Sequence, residues 1–92
     1  MNGVERIAAE RKRQIEIECY DPEHDNQHDD ESLALAACYY ALPKFYHNNL
    51  INLWPNSWDI CYANKGNKDR IRDLEKAGAL IAAEIDRLIV NK

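Results

Sequence analysis

The chain has 92 residues, a formal net charge of −4 and 46% hydrophobic residues. This length fits one domain, residues 1–92, whose small core would gain stability from association with a second copy. The negative charge argues against a general nucleic-acid-binding protein, which needs a basic surface to displace counterions from phosphates. The longest apolar stretch, residues 33–42, is too short to cross a bilayer. Three cysteines without a CxxC pair predict free thiols in a reducing cytoplasm.

A first helix is predicted from Asn2 to residues 18–20. Asn2 and Glu5 have capping-box spacing, in which each side chain accepts a hydrogen bond from the backbone of the other residue. The helix is expected to end before Pro22, because proline disfavours helical geometry at the residue that precedes it. Glu10 and Arg13 fall on its polar side. The face expected to pack on the core contains Val4, Ile7, Ala8 and Ile15.

A second helix is predicted between an N-cap at Asp29 or Asp30 and Pro43, which cannot continue a helix. Residues 44–67 look irregular, although residues 44–53 have room for one short helix. The apolar face of the second helix contains Leu33, Ala36, Ala37 and Tyr40.

A third helix is predicted over residues 68–90. At 1.5 Å per residue it measures roughly 33 Å, which exceeds the comfortable width of a domain with a radius of gyration of about 12 Å. We therefore expect it to pair with a second copy in a homo-oligomer, and packing within one subunit is the alternative. The predicted fold is an all-α bundle of three main helices with an irregular aromatic middle loop. The apolar face of the third helix contains Ile71, Leu74, Ile81, Ile85 and Leu88.

Residues 21–31 concentrate six carboxylates and two imidazoles. His24 and His28 are four positions apart, so in a helical turn both imidazoles point the same way. Together with Asp25 they are candidate ligands for zinc or manganese, because both metals bind imidazole and carboxylate groups. Two alternatives remain open: a ligand site without metal, and a solvated acidic loop whose histidines bond to the backbone.

Aromatic side chains are concentrated in the middle of the chain. Trp54 and Trp58 flank a proline and two small polar residues, and Tyr39 lies on the second helix. Such rings offer flat apolar faces on which a base can stack. The alternative is that these aromatic residues only close one end of the core.

Four cations are candidates for binding phosphate. Arginine forms bidentate hydrogen bonds with phosphate oxygens, and a lysine one helical turn after an arginine lies on the same face. The alternative is that these charges are solvated or paired with neighbouring acids. The four candidates are Arg11, Arg13, Arg72 and Lys76.

These motifs together resemble a set of small proteins that are common in tailed-phage and prophage genomes, and the likeness covers almost the whole chain. It implies a phage accessory protein in the cytoplasm of an infected bacterium and supplies no reaction. The segments that carry the resemblance are Glu10-Arg11-x-Arg13-Gln14, Pro22-Glu23-His24-Asp25 with His28, Leu33-Ala34-x-Ala36-Ala37-x-Tyr39, Trp54-Pro55-x-x-x-Trp58 and Arg72-Asp73-Leu74-x-Lys76-Ala77-Gly78-Ala79-Leu80-Ile81-Ala82-Ala83-Glu84-Ile85.

A more distant likeness is to the all-α MazG-like nucleotide pyrophosphohydrolases, which hold magnesium on paired ExxE and ExxD helix motifs. The chain departs from that pattern. Glu31 has no acidic residue three or four positions later, and Glu84 is followed by Asp86 at a spacing of two.

The residues favour a binding protein for a nucleotide-like ligand, which in a phage setting can sequester a nucleotide signal of host defence. No cofactor is predicted apart from a possible divalent metal ion. Serine or cysteine hydrolase motifs and a glycine-rich phosphate loop are missing from the sequence. A metal-dependent hydrolase of the MazG-like type is one alternative. The other is a protein-interaction module that acts on a host protein.

Overall fold

A computed structural model describes residues 1–18, 31–47, 50–55, 58 and 69–90. Every regular element within these residues is helical, so the predicted all-α fold is confirmed. Two short 3-10 turns, Lys44–Tyr46 and Ile51–Leu53, occupy the region where one short helix was expected. The three main helices are α1 (Gly3–Glu16), α2 (Ser32–Ala41) and α3 (Arg70–Val90).

The start of α1 has the predicted capping box. Asn2 Oδ1 accepts a hydrogen bond from the Glu5 backbone N–H at 2.9 Å, and Glu5 Oε1 accepts one from the Asn2 backbone N–H at 2.9 Å. The helix ends at Glu16, slightly before the predicted residues 18–20. The backbone N–H of Ile17 still donates to the carbonyl of Arg13 at 2.8 Å, which closes the last turn.

The other two helices begin differently from the prediction. Glu31 precedes α2 in the left-handed region, with φ of 66°, and its side chain makes no capping hydrogen bond. The predicted N-caps at residues 29 and 30 lie outside the described residues. Asp69 caps α3, because its Oδ1 accepts from the backbone N–H groups of Ile71 and Arg72 at 3.1 and 3.4 Å.

The C-terminus of α2 is tied to the first turn of α3. As predicted, α2 stops before Pro43, which leaves its last carbonyl groups without partners inside the helix. Arg70 supplies donors for them: its Nη1 lies 2.6 Å from the Leu42 carbonyl, and its Nη2 lies 2.7 Å from the Ala41 carbonyl. The guanidinium therefore fixes the relative position of the two helices.

The core lies between α2 and α3, with contributions from the aromatic segment. The predicted face of α2 is confirmed, since all four of its residues are buried. Two of the three α3 residues in this core are alanines, and the third is Leu80. The core cluster comprises Leu33, Ala36, Ala37, Tyr39, Tyr40, Trp54, Ala77, Leu80 and Ala83.

The prediction for the buried face of α1 was wrong for three of its four residues, because Ile7 packs on α3 but Val4, Ala8 and Ile15 are exposed. Val4 is 78% exposed and Ile15 is 37% exposed, whereas Glu10 and Gln14 are each only 3% exposed. Glu10 faces the interior because α3 offers it an arginine partner there. Burial of the charge is therefore compensated by an ion pair and not by apolar contact.

The apolar face of α3 likewise faces away from the core. Its five isoleucine and leucine residues are between 44% and 57% exposed, while alanines and a glycine lie against the other helices. Ile7 of α1 sits directly on Gly78, where an added Cβ would lie 2.5 Å from Ile7 Cδ1. Gly78 thus allows the close approach of α1, and Leu80 is the one large apolar residue of α3 that is buried while the others remain outside.

Candidate functional site

Glu10 is the centre of a charged cluster between α1 and α3. The Arg13 guanidinium binds it through two parallel hydrogen bonds, from Nε to Oε1 at 2.8 Å and from Nη2 to Oε2 at 3.0 Å. Arg72 of α3 reaches the same carboxylate, with Nη1 2.5 Å from Oε1. Gln14 adds a hydrogen bond from Nε2 to Oε2 at 3.2 Å. One buried carboxylate therefore holds two arginines from different helices.

The two arginines decide the ionisation of Glu10. Burial by itself raises the pKa of a carboxyl group, but the hydrogen bonds and charges of Arg13 and Arg72 outweigh it and hold the pKa of Glu10 below its ordinary value. The same hydrogen bond raises the pKa of Arg13. The cluster is thus fully charged at neutral pH.

Arg13 has little capacity left for a ligand, because its Nη1 also donates to Glu18 Oε1 at 2.8 Å. Arg72 differs. It contacts Glu10 and Glu75 through Nη1 alone, and its side chain is 34% exposed. Within the part of the chain that the structure describes, the Nε–Nη2 edge of Arg72 makes no hydrogen bond. That edge is the side of a guanidinium that binds two oxygens at once.

Lys76 lies one helical turn after Arg72 and is half-buried. Its Nζ is 5.6 Å from the centroid of the Tyr40 ring, a cation–π contact. Among the described residues it makes no ion pair. Burial lowers the pKa of Lys76, and the charge of Arg72 lowers it further. A ligand anion beside Lys76 would favour the charged form of the lysine and so oppose both effects on its pKa.

The aromatic candidates form one cluster, which is mostly interior. Tyr39 stacks on His47 with ring centroids 4.8 Å apart, and it also meets the edge of Trp54 at 5.5 Å. Tyr39 and Trp54 are buried, so the core interpretation holds for both. Trp58 packs against Trp54 at 5.5 Å and is only half-buried. Of the three predicted aromatic residues, Trp58 is thus the most exposed.

Arg11 is not part of the cluster around Glu10. Its Nη2 lies 3.9 Å from Asp86 Oδ2, in the C-terminal half of α3. Of the four cations predicted from sequence, Arg13 and Arg72 meet at Glu10, Lys76 follows Arg72, and Arg11 lies apart.

Three residues at this site were not predicted from the sequence. Glu10 and Gln14 stand on what reads as the polar side of α1, and Gln14 Oε1 is buried with no hydrogen-bond partner among the described residues. Asp73 of α3 is 3% exposed, and its pKa is raised because burial outweighs the charges of nearby His47 and Lys76. The spacing of Glu10 and Gln14, four positions apart, is the one signal in the sequence that could have placed them together.

The predicted metal ligands His24, Asp25 and His28 lie outside the described residues. Among the residues that are described, no group of three or more histidine, cysteine, aspartate or glutamate side chains is placed to hold a metal ion. Glu84 is bound by Arg87, with Nε 2.5 Å from Oε1. Asp86 lies near Arg11 instead of facing Glu84 in a shared site.

No family model, curated protein or solved structure matches the chain. The resemblances to tailed-phage proteins and to MazG-like enzymes therefore stay predictions from the sequence. None of the described helices combines the length and the apolar character that a membrane-spanning segment requires.

Proposed function

We propose that this protein binds a nucleotide-like anion at the surface beside Arg72 and Lys76 and does not turn it over. The observation that carries the proposal is the pairing of an open guanidinium edge with an ammonium group that has no acidic partner among the described residues. In the phage setting that the sequence implies, such binding sequesters a nucleotide signal of host defence.

The charge arrangement supports a phosphate as the anchoring group. Glu10 uses one nitrogen of Arg72 and so fixes the guanidinium plane, which leaves Nε and Nη2 for two phosphate oxygens. Lys76 adds a point charge one turn further along α3. Because the buried ion pair orients Arg72 in advance, binding loses less side-chain entropy.

The aromatic cluster supports a base as the second part of the ligand. Lys76 contacts the Tyr40 ring, Tyr40 contacts Trp54, and Trp54 contacts Trp58. The ring centroids are 5.5 Å apart in each of the two aromatic pairs. Tyr40 and Trp54 are buried, so Trp58 is the ring on which a base would stack. The proposed ligand therefore has a phosphate near Lys76 and a base near Trp58.

The first experiment mixes the purified protein with a panel of nucleotides, including cyclic and ADP-ribose-derived species, with and without Mn²⁺. The protein is separated by size exclusion, and mass spectrometry identifies what stays bound and what is altered. An intact nucleotide that co-elutes and is released on heating is the expected result. Retention of no nucleotide under either condition would overturn the proposal.

Lys76→Met is the sharpest variant, because Lys76 makes no ion pair with any described residue and its loss leaves the Glu10 cluster intact. Loss of one charge-assisted contact weakens binding by about 10- to 100-fold in Kd. Lys12→Met is the matched control, since Lys12 is exposed on α1 and should leave Kd unchanged. If both variants raise Kd equally, binding depends on the net charge of the protein and not on this site.

The same experiment distinguishes the two alternative functions. Loss of a nucleotide only when Mn²⁺ is present would indicate a metal-dependent hydrolase of the MazG-like type, and the segment with His24, Asp25 and His28 would become the candidate metal site. If the protein binds no nucleotide of the panel and a pull-down from host lysate recovers one stoichiometric partner with it, the protein is a protein-interaction module.

A further inference from the structure

The most apolar surface of α3 is largely uncovered by the described residues, and only its glycine, Gly78, lies under a side chain of the same chain, Ile7. We define the α3 seam as Ile71, Leu74, Gly78, Ile81, Ile85 and Leu88. Its five large side chains are 57%, 44%, 49%, 51% and 48% exposed in chain order. An apolar arc of this kind normally faces a core, so its exposure along a whole helix indicates an interaction surface.

The spacing of the seam fits another helix. Its positions follow one another at intervals of three, four, three, four and three residues, which is the a/d repeat of a coiled coil. This series of intervals is the same when it is counted from the N-terminal or from the C-terminal end of the seam. A two-fold axis between Gly78 and Ile81 therefore superimposes the seam on itself, with large residues opposite large residues at both ends.

We infer that the α3 seam pairs antiparallel with the same seam of a second copy of this chain. In this register Ile71 lies opposite the partner's Leu88, and Leu74 lies opposite the partner's Ile85. The partner's Ile81 then lies opposite position 78, where Ile7 of the same subunit covers the glycine. Opposed helix dipoles favour the antiparallel arrangement over a parallel one.

The charges beside the seam are compatible with a second copy of the same molecule. Glu75, on one edge, pairs with Arg6 at 3.4 Å and with Arg72 at 3.5 Å. Glu84, on the other edge, is bound by Arg87. Two chains that each carry a net charge of −4 repel one another at long range, but the acids next to the contact are already neutralised within each subunit.

A groove at the N-terminal end of α3 completes the fit. It is apolar, lies between the starts of α1 and α3, and is lined by Gly3, Ile7, Ile71 and Leu74 with the stems of Arg6 and Glu75. In the antiparallel register the groove lies next to the partner's Leu88, which matches its apolar lining. Two such grooves, one at each end, would anchor the dimer.

The first test is the mass of the full chain in solution, measured by light scattering after size exclusion at about 100 μM protein. Twice the mass of one chain is expected, and a monomer would overturn the inference. Ile81→Glu places a charge in the central layer and should raise the dimer Kd at least 100-fold. Leu35→Glu is the control, because Leu35 is 40% exposed on α2 and should leave the dimer intact. Circular dichroism checks that both variants remain helical.

Disulfide cross-linking tests the register and does not depend on the folding of Ile81→Glu. Leu74→Cys and Ile85→Cys are made separately in a chain whose three native cysteines are serine. The antiparallel dimer predicts a cross-link when the two proteins are mixed and oxidised, and none when either is oxidised alone. Cross-links in each protein alone would mean a parallel pair, and absence of all cross-links would place any contact elsewhere. Either result would overturn the inference.

Discussion

Glu10 and Arg72 join the first and third helices through an ion pair whose carboxylate is almost completely buried, with Arg72 Nη1 2.5 Å from Glu10 Oε1. Arg13 binds the same carboxylate from within α1. The three side chains therefore have a structural role, and Glu10 also orients the edge of Arg72 that we propose as the ligand-binding edge.

Glu10→Gln should destabilise the fold by about 2–3 kcal/mol. Removing one partner of a buried ion pair costs about 3–5 kcal/mol, and we expect less here because both guanidinium groups are one-third exposed and water can solvate them. Urea unfolding followed by circular dichroism measures the change. Glu16→Gln, on the exposed side of the same helix, should stay within about 0.5 kcal/mol of the wild type. Equal effects would contradict a special role for Glu10.

The contribution of Glu10 should depend on pH with a definite sign. Its pKa is lower in the folded protein than the ordinary value of 4.5. Such a carboxyl group stabilises the folded state fully above the unfolded pKa, and the stabilisation is lost as the pH falls through the folded pKa. The difference in unfolding free energy between wild type and Glu10→Gln should therefore be constant well above pH 4.5 and shrink below it. A difference that grows on acidification would refute this assignment.

Asp73→Asn should have the opposite effect and stabilise the protein at neutral pH. Burial raises the pKa of Asp73 above its ordinary value of 3.8, so the ionised carboxylate opposes folding. Removing its charge without changing its size should add about 1 kcal/mol or less to the unfolding free energy at pH 7. The gain should shrink as the pH falls through the raised pKa of the folded state and vanish below the ordinary value of 3.8, where the carboxyl group is protonated in both states. Thermal unfolding at several pH values tests this, and a loss of stability at pH 7 would contradict it.

The contact between Ile7 and Gly78 can be tested by a double-mutant cycle. Gly78→Ala alone places a Cβ 2.5 Å from Ile7 Cδ1, so Ile7 must move, and we expect a loss of about 1 kcal/mol. In an Ile7→Ala background the obstructing atoms are gone, and alanine should gain about 0.5–1 kcal/mol from its higher helix propensity. Urea unfolding of the four proteins gives the coupling energy. Additive effects would mean that the two residues do not touch.

Part of the candidate site could be read from the sequence. Arg72 and Lys76 are four positions apart in an unmistakable helix, so their common face follows from helical geometry. The partner of Arg72 could not be predicted in the same way, because Glu10 is 62 positions away and stands among the charged residues of α1. Only the packing of α1 against α3 shows that this carboxylate is the buried one.

The sequence by itself determined which three stretches of the chain form the main helices. Local interactions decide helix ends, so the capping box at Asn2 and the stop before Pro43 were both predicted correctly. The tertiary structure decided which side of each helix is buried. Periodicity shows that similar residues share a face, but it does not show which neighbouring surface that face meets. In this protein α3 meets the other helices through small residues, Leu80 and an arginine paired with a buried carboxylate, and its other large apolar residues, such as Ile81, remain on the outside.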